Sequence, residues 1–308
     1  MSNRFNVSDL NAIETRVGAW LAGCKPLLNV FFEGRDAYLD FASKLYQILY
    51  DVLARDIKSK DKEVKARAKK YRQIAKPGVL GCIYRMSART LQAYAEAMGV
   101  IMSLEEAEKV VRIFREAYKE IEQAWFDLEE KIKEVLQGTK VVRYFGPNDC
   151  VKIDKFVFTC NGEPRTILRI ELPSGRRIHY VDATWEPTVM PWEDRNTGEP
   201  AIRGAFNYAA QDQKTKQWSR TSSHGGKVFE NIDQGMARDV LAEKLLMFED
   251  AGLNVVAHVH DEGISETEDD AFAPGLAEMN SIMSQEISWA PGLPLSSDGL
   301  EGTYYRKG

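Results

Sequence analysis

Near both ends of the chain, apolar and polar residues alternate with a period of two; most of the stretch between repeats with a helical period. Phe5, Val7 and Asp9 fall on one face of a strand predicted over residues 1–9. A helix follows at once, with Ile13, Val17, Trp20 and Leu21 on one side, and Asn11 and Glu14 have the spacing of a capping box at its start. Lys25-Pro26 breaks that pattern, and residues 27–57 read as mostly helical with Phe41, Leu45, Ile48, Leu49 and Val52 as the apolar stripe. A second predicted capping box, Ser103 with Glu106, opens a stripe through Val110, Phe114, Ile121, Trp125, Leu128, Ile132 and Val135 to Gly138, as one long helix or two joined at a kink.

Residues 139–220 change character. Turn signals recur at Pro147-Asn148-Asp149, Asn161-Gly162, Pro173-Ser174-Gly175 and Asn196-Thr197-Gly198, with β-rich runs such as 166–172 and 177–181 between them. Hairpins and long loops are expected there. An amphipathic helix over 226–251 then buries Phe229, Ile232, Met236, Val240 and Leu241 and ends at Gly252. The run Leu253 to Glu266 reads as a hairpin, with Asp261 and Glu262 at its tip. A short helix at about 271–287 and an irregular tail complete the pattern.

Composition narrows this picture modestly. A chain of 308 residues can bury one or two domain cores. No apolar run is long enough to span a bilayer, and the four cysteines show neither metal-ligand spacing nor a disulfide framework, so a reducing, cytoplasmic setting is expected. The net charge of −5 argues against a nucleic-acid binder only until its distribution is considered, because Lys and Arg crowd residues 55–76.

The candidate chemistry lies at strand ends. Asp9 and Asp261 each end an apolar strand. Brought together they would repel unless a divalent cation lay between them, and carboxylates without a Cys or His cluster suit Mg²⁺ or Mn²⁺ rather than zinc. Two such ions roughly 3.5–4 Å apart form a clamp for in-line phosphoryl transfer. Either Asp alone is as well explained as the end of a strand. Arg72, Lys76, Leu80 and Tyr84 recur every fourth residue and would line one face of a helix, which Pro77 either starts or kinks. Cations on one face near a helix N-terminus suit a triphosphate; a basic surface helix packed by Leu80 and Tyr84 explains the same spacing. His258 and His260 share a strand face, but no third metal ligand accompanies them.

Taken together and in order, these stretches resemble the catalytic core of family A DNA polymerases, the group of bacterial DNA polymerase I and its phage relatives. Asp9-Leu10-Asn11-Ala12-Ile13-Glu14-Thr15-Arg16 is similar to motif A, whose pattern is D-x-S-x-I-E-x-R. Arg72, Lys76, Leu80 and Tyr84 resemble motif B, and Val259-His260-Asp261-Glu262 resembles motif C. The run Gly225 to Gln234 resembles the phage form of the helix before motif C, and Leu172 to Arg176 is also phage-like. The resemblance implies an α+β fold: a right-hand palm of antiparallel sheet backed by helices, with a helical fingers insertion. Palm would occupy 1–40 and 141–308, fingers 41–140. It implies that Asp9 and Asp261, with the Leu10 carbonyl, bind two Mg²⁺ ions (or Mn²⁺). It further implies that Arg72 and Lys76 hold a dNTP, with Lys76 placed to protonate pyrophosphate. Tyr84 would sit at the templating base, and Glu14 would exclude a ribose 2′-hydroxyl. Gln234, His260 and Arg85 would face primer–template DNA, Glu262 would support the hairpin tip, and Arg16 would be structural.

The chain departs from the family at Leu80, where an aromatic residue is usual, at Arg85, where Gly is common, and at Tyr38, where many members place a phosphate-binding His. Motif A also begins within ten residues of Met1. Thumb and exonuclease domains are therefore expected to be absent, with a partner chain supplying the thumb and primer-binding segment, in the host cytoplasm if the enzyme is phage-encoded. The competing readings are a single-subunit RNA polymerase-like enzyme, disfavoured by Glu14 and Glu262, and a non-catalytic DNA-binding polymerase relic, disfavoured by intact Asp9, Lys76 and Asp261.

Overall fold

A computed structural model describes residues 3–193, 197–212, 214–268 and 273–306. The first strand, β1 (Asn3–Leu10), enters the centre of a four-stranded antiparallel sheet. Its neighbours are β9 (Glu262–Glu268), which pairs in turn with β8 (Val255–Val259), and β10 (Ser297–Gly302). The tail expected to be irregular thus supplies an edge strand. Gly299 is why β10 can lie so close: a Cβ there would sit 2.1 Å from the Val7 carbonyl. One face of this sheet is polar yet buried. Asn6 donates to Thr267 Oγ1 at 2.9 Å and Ser8 to Asn280 Oδ1 at 2.6 Å, on the overlying helix α10 (Leu276–Ser284). Asp9 alternates onto the opposite face with Val7.

Helices follow β1: α1 (Ile13–Leu21), α2 (Lys25–Phe32), α3 (Ala37–Tyr46), α4 (Tyr50–Asp56), α5 (Lys62–Cys82), α6 (Ala88–Ala97), α7 (Leu104–Ala117) and α8 (Lys119–Gln137). Pro26 sits in the first turn of α2, where its missing N–H costs nothing. The capping box of Ser103 and Glu106 forms, and α7 and α8 are separate helices broken at Tyr118. Of the stripe predicted over 27–57, Phe41 and Leu45 are buried while Leu49 is 77% exposed, because Leu49 caps α4 from outside. Around Phe41 the core is aromatic, with Phe114 edge-on at 5.8 Å and Tyr118 at 6.3 Å between ring centroids. Pro77 neither starts nor ends a helix. It lies inside α5, which runs continuously through it. The next residue, Gly78, lets α5 approach its neighbours, since a Cβ there would meet Val110 at 2.6 Å and Phe41 at 3.1 Å.

The turn-rich middle is more regular than its sequence suggests. It forms a six-stranded antiparallel meander of β2 (Arg143–Phe145), β3 (Val151–Cys160), β4 (Glu163–Glu171), β5 (Arg177–Glu193), β6 (Pro200–Gln211) and β7 (Trp218–Ser223). Asn161-Gly162 makes the β3–β4 turn, with both residues at positive φ, and Gly175 turns β4 into β5. Asn196 of the expected β5–β6 turn lies outside the described residues. Leu168, Ile170, Tyr180 and Phe206 join the core beside α8. The long helix α9 (Gly225–Asp250) then runs to Gly252, whose φ of 79° ends it, and buries all five predicted apolar residues. Described residues 273–275 precede α10, which is shorter than the helix predicted over 271–287. Among the described residues no helix is long and apolar enough to cross a membrane, and all four cysteines are free.

Candidate active site

Two sharp turns bring the carboxylates together. β1 ends at Leu10, and Ala12 takes a left-handed conformation (φ 49°) to start α1. The hairpin of β8 and β9 turns through His260 (φ 55°) and Asp261. Left-handed backbone costs a non-glycine residue about 1 kcal/mol or more, so both turns are held by the surrounding fold. Asp9 lies opposite Glu262 in the β1–β9 ladder, and the Leu10 N–H donates to the Asp261 carbonyl at 3.2 Å. Asp9 and Asp261 line a single cleft of roughly 1030 Å³. Asp298, opposite Asp9 on the other side of β1, lines it too.

The Asn11–Glu14 capping box does not form. Ala12 is the N-cap of α1, and Asn11 turns away to donate to Asp298 at 3.2 Å. Glu14 is therefore released from a capping role. It accepts a hydrogen bond from Gln234 Nε2 of α9 at 2.7 Å, at the boundary between the main cleft and a second recess of about 350 Å³. That recess is lined by Gln234, Arg238, His260 and Asp261.

Helix α5 forms the facing wall. Arg72, Lys76 and Leu80 line the main cleft, one helical turn apart. Because α5 starts at the Asp61 N-cap, Lys76 is mid-helix. Any anion held there would be drawn by side-chain charge and not by a helix terminus, contrary to the expectation from sequence. Arg72 is ion-paired with Asp36 at 2.8 Å, whereas Lys76 makes no ion pair among the described residues. Both cations lie over the Tyr38 ring, Arg72 at 5.0 Å and Lys76 at 5.8 Å from its centroid. Burial pushes the Tyr38 phenol up to about 12, with Arg72 pulling the other way.

The remaining predicted residues divide. Glu262 is buried and accepts from the Tyr305 hydroxyl at 2.9 Å, a contact with the tail that sequence did not suggest. Arg16 donates to the Asn11 and Pro294 carbonyls at 2.7 and 2.9 Å, tying motif A to the C-terminal segment; burial lowers its pKa to about 10. Tyr84 lies past the end of α5 with its hydroxyl on Asp233 of α9. Arg85 points elsewhere, ion-paired with Glu129 at 2.8 Å and stacked on Phe126.

Among the described residues no group of three or more His, Cys, Asp or Glu side chains is disposed to hold a metal. The donors present are the Asp9 and Asp261 carboxylates and nearby carbonyls. Such hard oxygen donors fit Mg²⁺, which is commonly held by one or two carboxylates and completed by water and substrate phosphates.

The chain thus sets an antiparallel sheet carrying two carboxylates against a helix with cleft-lining cations. Known proteins resemble it in sequence and in fold. The chain is 32% identical over 308 residues to the DNA polymerase of Bacillus phage SP02, an alignment covering 99% of this chain and 41% of that protein. It is 31% identical over 134 residues to DNA polymerase I of Aquifex aeolicus (strain VF5), covering 43% of this chain and 21% of that protein. Among solved structures it resembles the POL domain of Pol1 from M. smegmatis in complex with DNA primer-template and dNTP. The TM-score there is 0.52 at 16% identity, covering 97% of this chain and 39% of the other. No protein-family model matches. The chain is thus similar along nearly its whole length to a phage DNA polymerase, of which it spans about two-fifths.

Proposed function

We propose that this chain is the catalytic palm-and-fingers portion of a DNA-directed DNA polymerase. The observation that carries the reading is the convergence of Asp9, Asp261, Arg72 and Lys76 on one cleft. The palm comprises 1–40 and 141–308, and the fingers 41–140. The reaction joins the primer 3′-oxygen to the α-phosphorus of a dNTP, breaks the bond to pyrophosphate, and moves the hydroxyl proton to solvent or a base.

Asp9 and Asp261, with the Leu10 carbonyl, are the residues that would hold two Mg²⁺ ions. Bound there, such ions would supply Lewis acidity for the attacking hydroxyl and countercharge for the leaving group. Arg72 and Lys76 bind the triphosphate and orient it along α5. Lys76, with no carboxylate partner among the described residues, is placed to give a proton to the departing pyrophosphate. Tyr38 shapes the seat of both cations. Glu14, held by Gln234, fills the space a ribose 2′-hydroxyl would need, which selects dNTPs by shape. Gln234 and His260 line the recess proposed for the primer terminus, and Tyr84 stands near the templating base. The chain spans about two-fifths of its phage relative, and the complete activity is proposed to use a thumb and primer grip besides these residues, in the cytoplasm of the cell or phage host.

The test is extension of a labelled primer–template with Mg²⁺, giving dNTPs or rNTPs, by the chain alone and with a thumb fragment added in trans. dNTP-dependent extension abolished by Asp261→Ala is expected. Preferential use of rNTPs would favour an RNA polymerase-like enzyme, and silence in both settings would favour a non-catalytic subunit.

A further inference from the structure

Asp233 is fully buried on the inner face of α9 and has no part in the roles proposed above. Its Oδ2 accepts a hydrogen bond from the Tyr84 hydroxyl, while its Oδ1 is buried with no partner among the described residues. The seat is tight. A Cβ on Gly18 of α1 would lie 3.4 Å from Oδ2 and 2.5 Å from Ile83 Cδ1, so α1, α9 and the segment following α5 close around this one carboxyl. The charged groups that face it are Glu14 from α1 and Glu230 from α9, both acidic, and no cation among the described residues pairs with it. Burial first, and then these two acids, push its carboxyl well above the usual range despite the Tyr84 hydrogen bond. Burial likewise raises the Tyr84 phenol.

A buried acid with one unmet oxygen is costly, and a hydrophobic residue would fill a core position at less expense. The side chain that donates to Asp233 links the end of α5 to α9, beside Glu14 and Gln234. We propose that Asp233 is the positioning residue for Tyr84, fixing where its ring stands between the end of α5 and α9, beside the Glu14–Gln234 pair that borders the nucleotide cleft. The chemical role given to that cleft rests on the polymerase reading; the Asp233–Tyr84 contact does not.

Four variants test this: Asp233→Val, Asp233→Asn, Tyr84→Phe, and Asp233→Val with Tyr84→Phe. In steady-state extension, Asp233→Val and Tyr84→Phe should each raise KM for the dNTP about 5-fold with kcat within about 2-fold, as expected for one lost hydrogen bond. The double variant should be no worse than either single, because both remove one interaction. Asp233→Asn keeps an acceptor and should stay within about 2-fold of the parent. Independently of turnover, the ¹³Cζ resonance of Tyr84 in tyrosine-labelled protein should move in Asp233→Val and stay near its parent position in Asp233→Asn. An unmoved resonance, or KM effects that multiply in the double variant, would overturn the proposal. If Asp233→Val does not fold, an unchanged KM in Tyr84→Phe overturns it equally. No extension by the parent protein, either alone or with a thumb fragment added in trans, would sink the polymerase reading itself, and the NMR resonance would still decide whether Asp233 positions Tyr84.

Discussion

Replacing Lys76 by Met removes a charge while keeping most of the side-chain stem. Lys76 makes no ion pair among the described residues; it lies over the Tyr38 ring at 5.8 Å, a contact worth about 0.5–1 kcal/mol. Stability to urea should therefore change by less than about 1 kcal/mol. The effect on nucleotide use should be much larger. A unit charge 4 Å from a phosphate oxygen contributes at most about 4 kcal/mol at an effective dielectric constant near 20. The net loss of a charge-assisted hydrogen bond is about 1.5–3 kcal/mol, or about 10- to 150-fold in kcat/KM. Rapid-quench incorporation of one nucleotide separates the components. A rise in dNTP Kd reports the electrostatic part. A further fall of about 100-fold in the single-turnover rate reports proton donation to pyrophosphate. Arg72→Ala provides the contrast, since its ion pair with Asp36, the N-cap of α3, makes it lose stability as well as affinity. A Lys76→Met protein with Kd and rate both within twofold of the parent would refute the assignment of α5 as the triphosphate wall.

Glu14→Ala should weaken discrimination against rNTPs by about 10- to 100-fold, read as the ratio of dNTP to rNTP incorporation efficiencies. Phe41→Ala, at a fully buried aromatic position, should cost about 3–5 kcal/mol in denaturant unfolding without changing the chemistry of the cleft. Asp233 has a folded-state pKa raised above its unfolded value, so the native state binds the extra proton. Its contribution must decline as pH rises from the unfolded value of about 3.9 toward the folded one. Asp233→Asn should accordingly gain stability relative to the parent as pH rises through that window, checked by thermal unfolding at a series of pH values. A difference independent of pH would contradict this.

The parts of the site that were legible in sequence are those where local chemistry and chain period agree. Asp9 and Asp261 each interrupt a strand of alternating apolar residues, and Arg72, Lys76 and Leu80 repeat at a helical interval. Three features were hidden for physical reasons. β10 carries two glycines and turn residues and becomes a strand only by pairing with β1. Asn11 and Glu14 have capping-box spacing, but Ala12 makes the turn and tertiary partners Asp298 and Gln234 claim both side chains. The interior place of Asp233 had a signal, since it sits four residues after Phe229 and three before Met236, on the apolar stripe of α9. A lone acid at such a position points to a buried partner. The partner itself, Tyr84, lies 149 residues away and needs the fold to find it.

The central claim is that Asp9 and Asp261 form one reaction centre with the cations of α5. Single-turnover incorporation of one dNTP into a primer–template tests it most directly, using the parent protein, Asp9→Asn, Asp261→Asn and the double variant, with a thumb fragment supplied in trans. Residues that act as a unit give non-additive losses. The account predicts that each single variant loses at least about 1000-fold and that the double variant is little worse. Mild losses, or losses that multiply in the double variant, would contradict a shared centre.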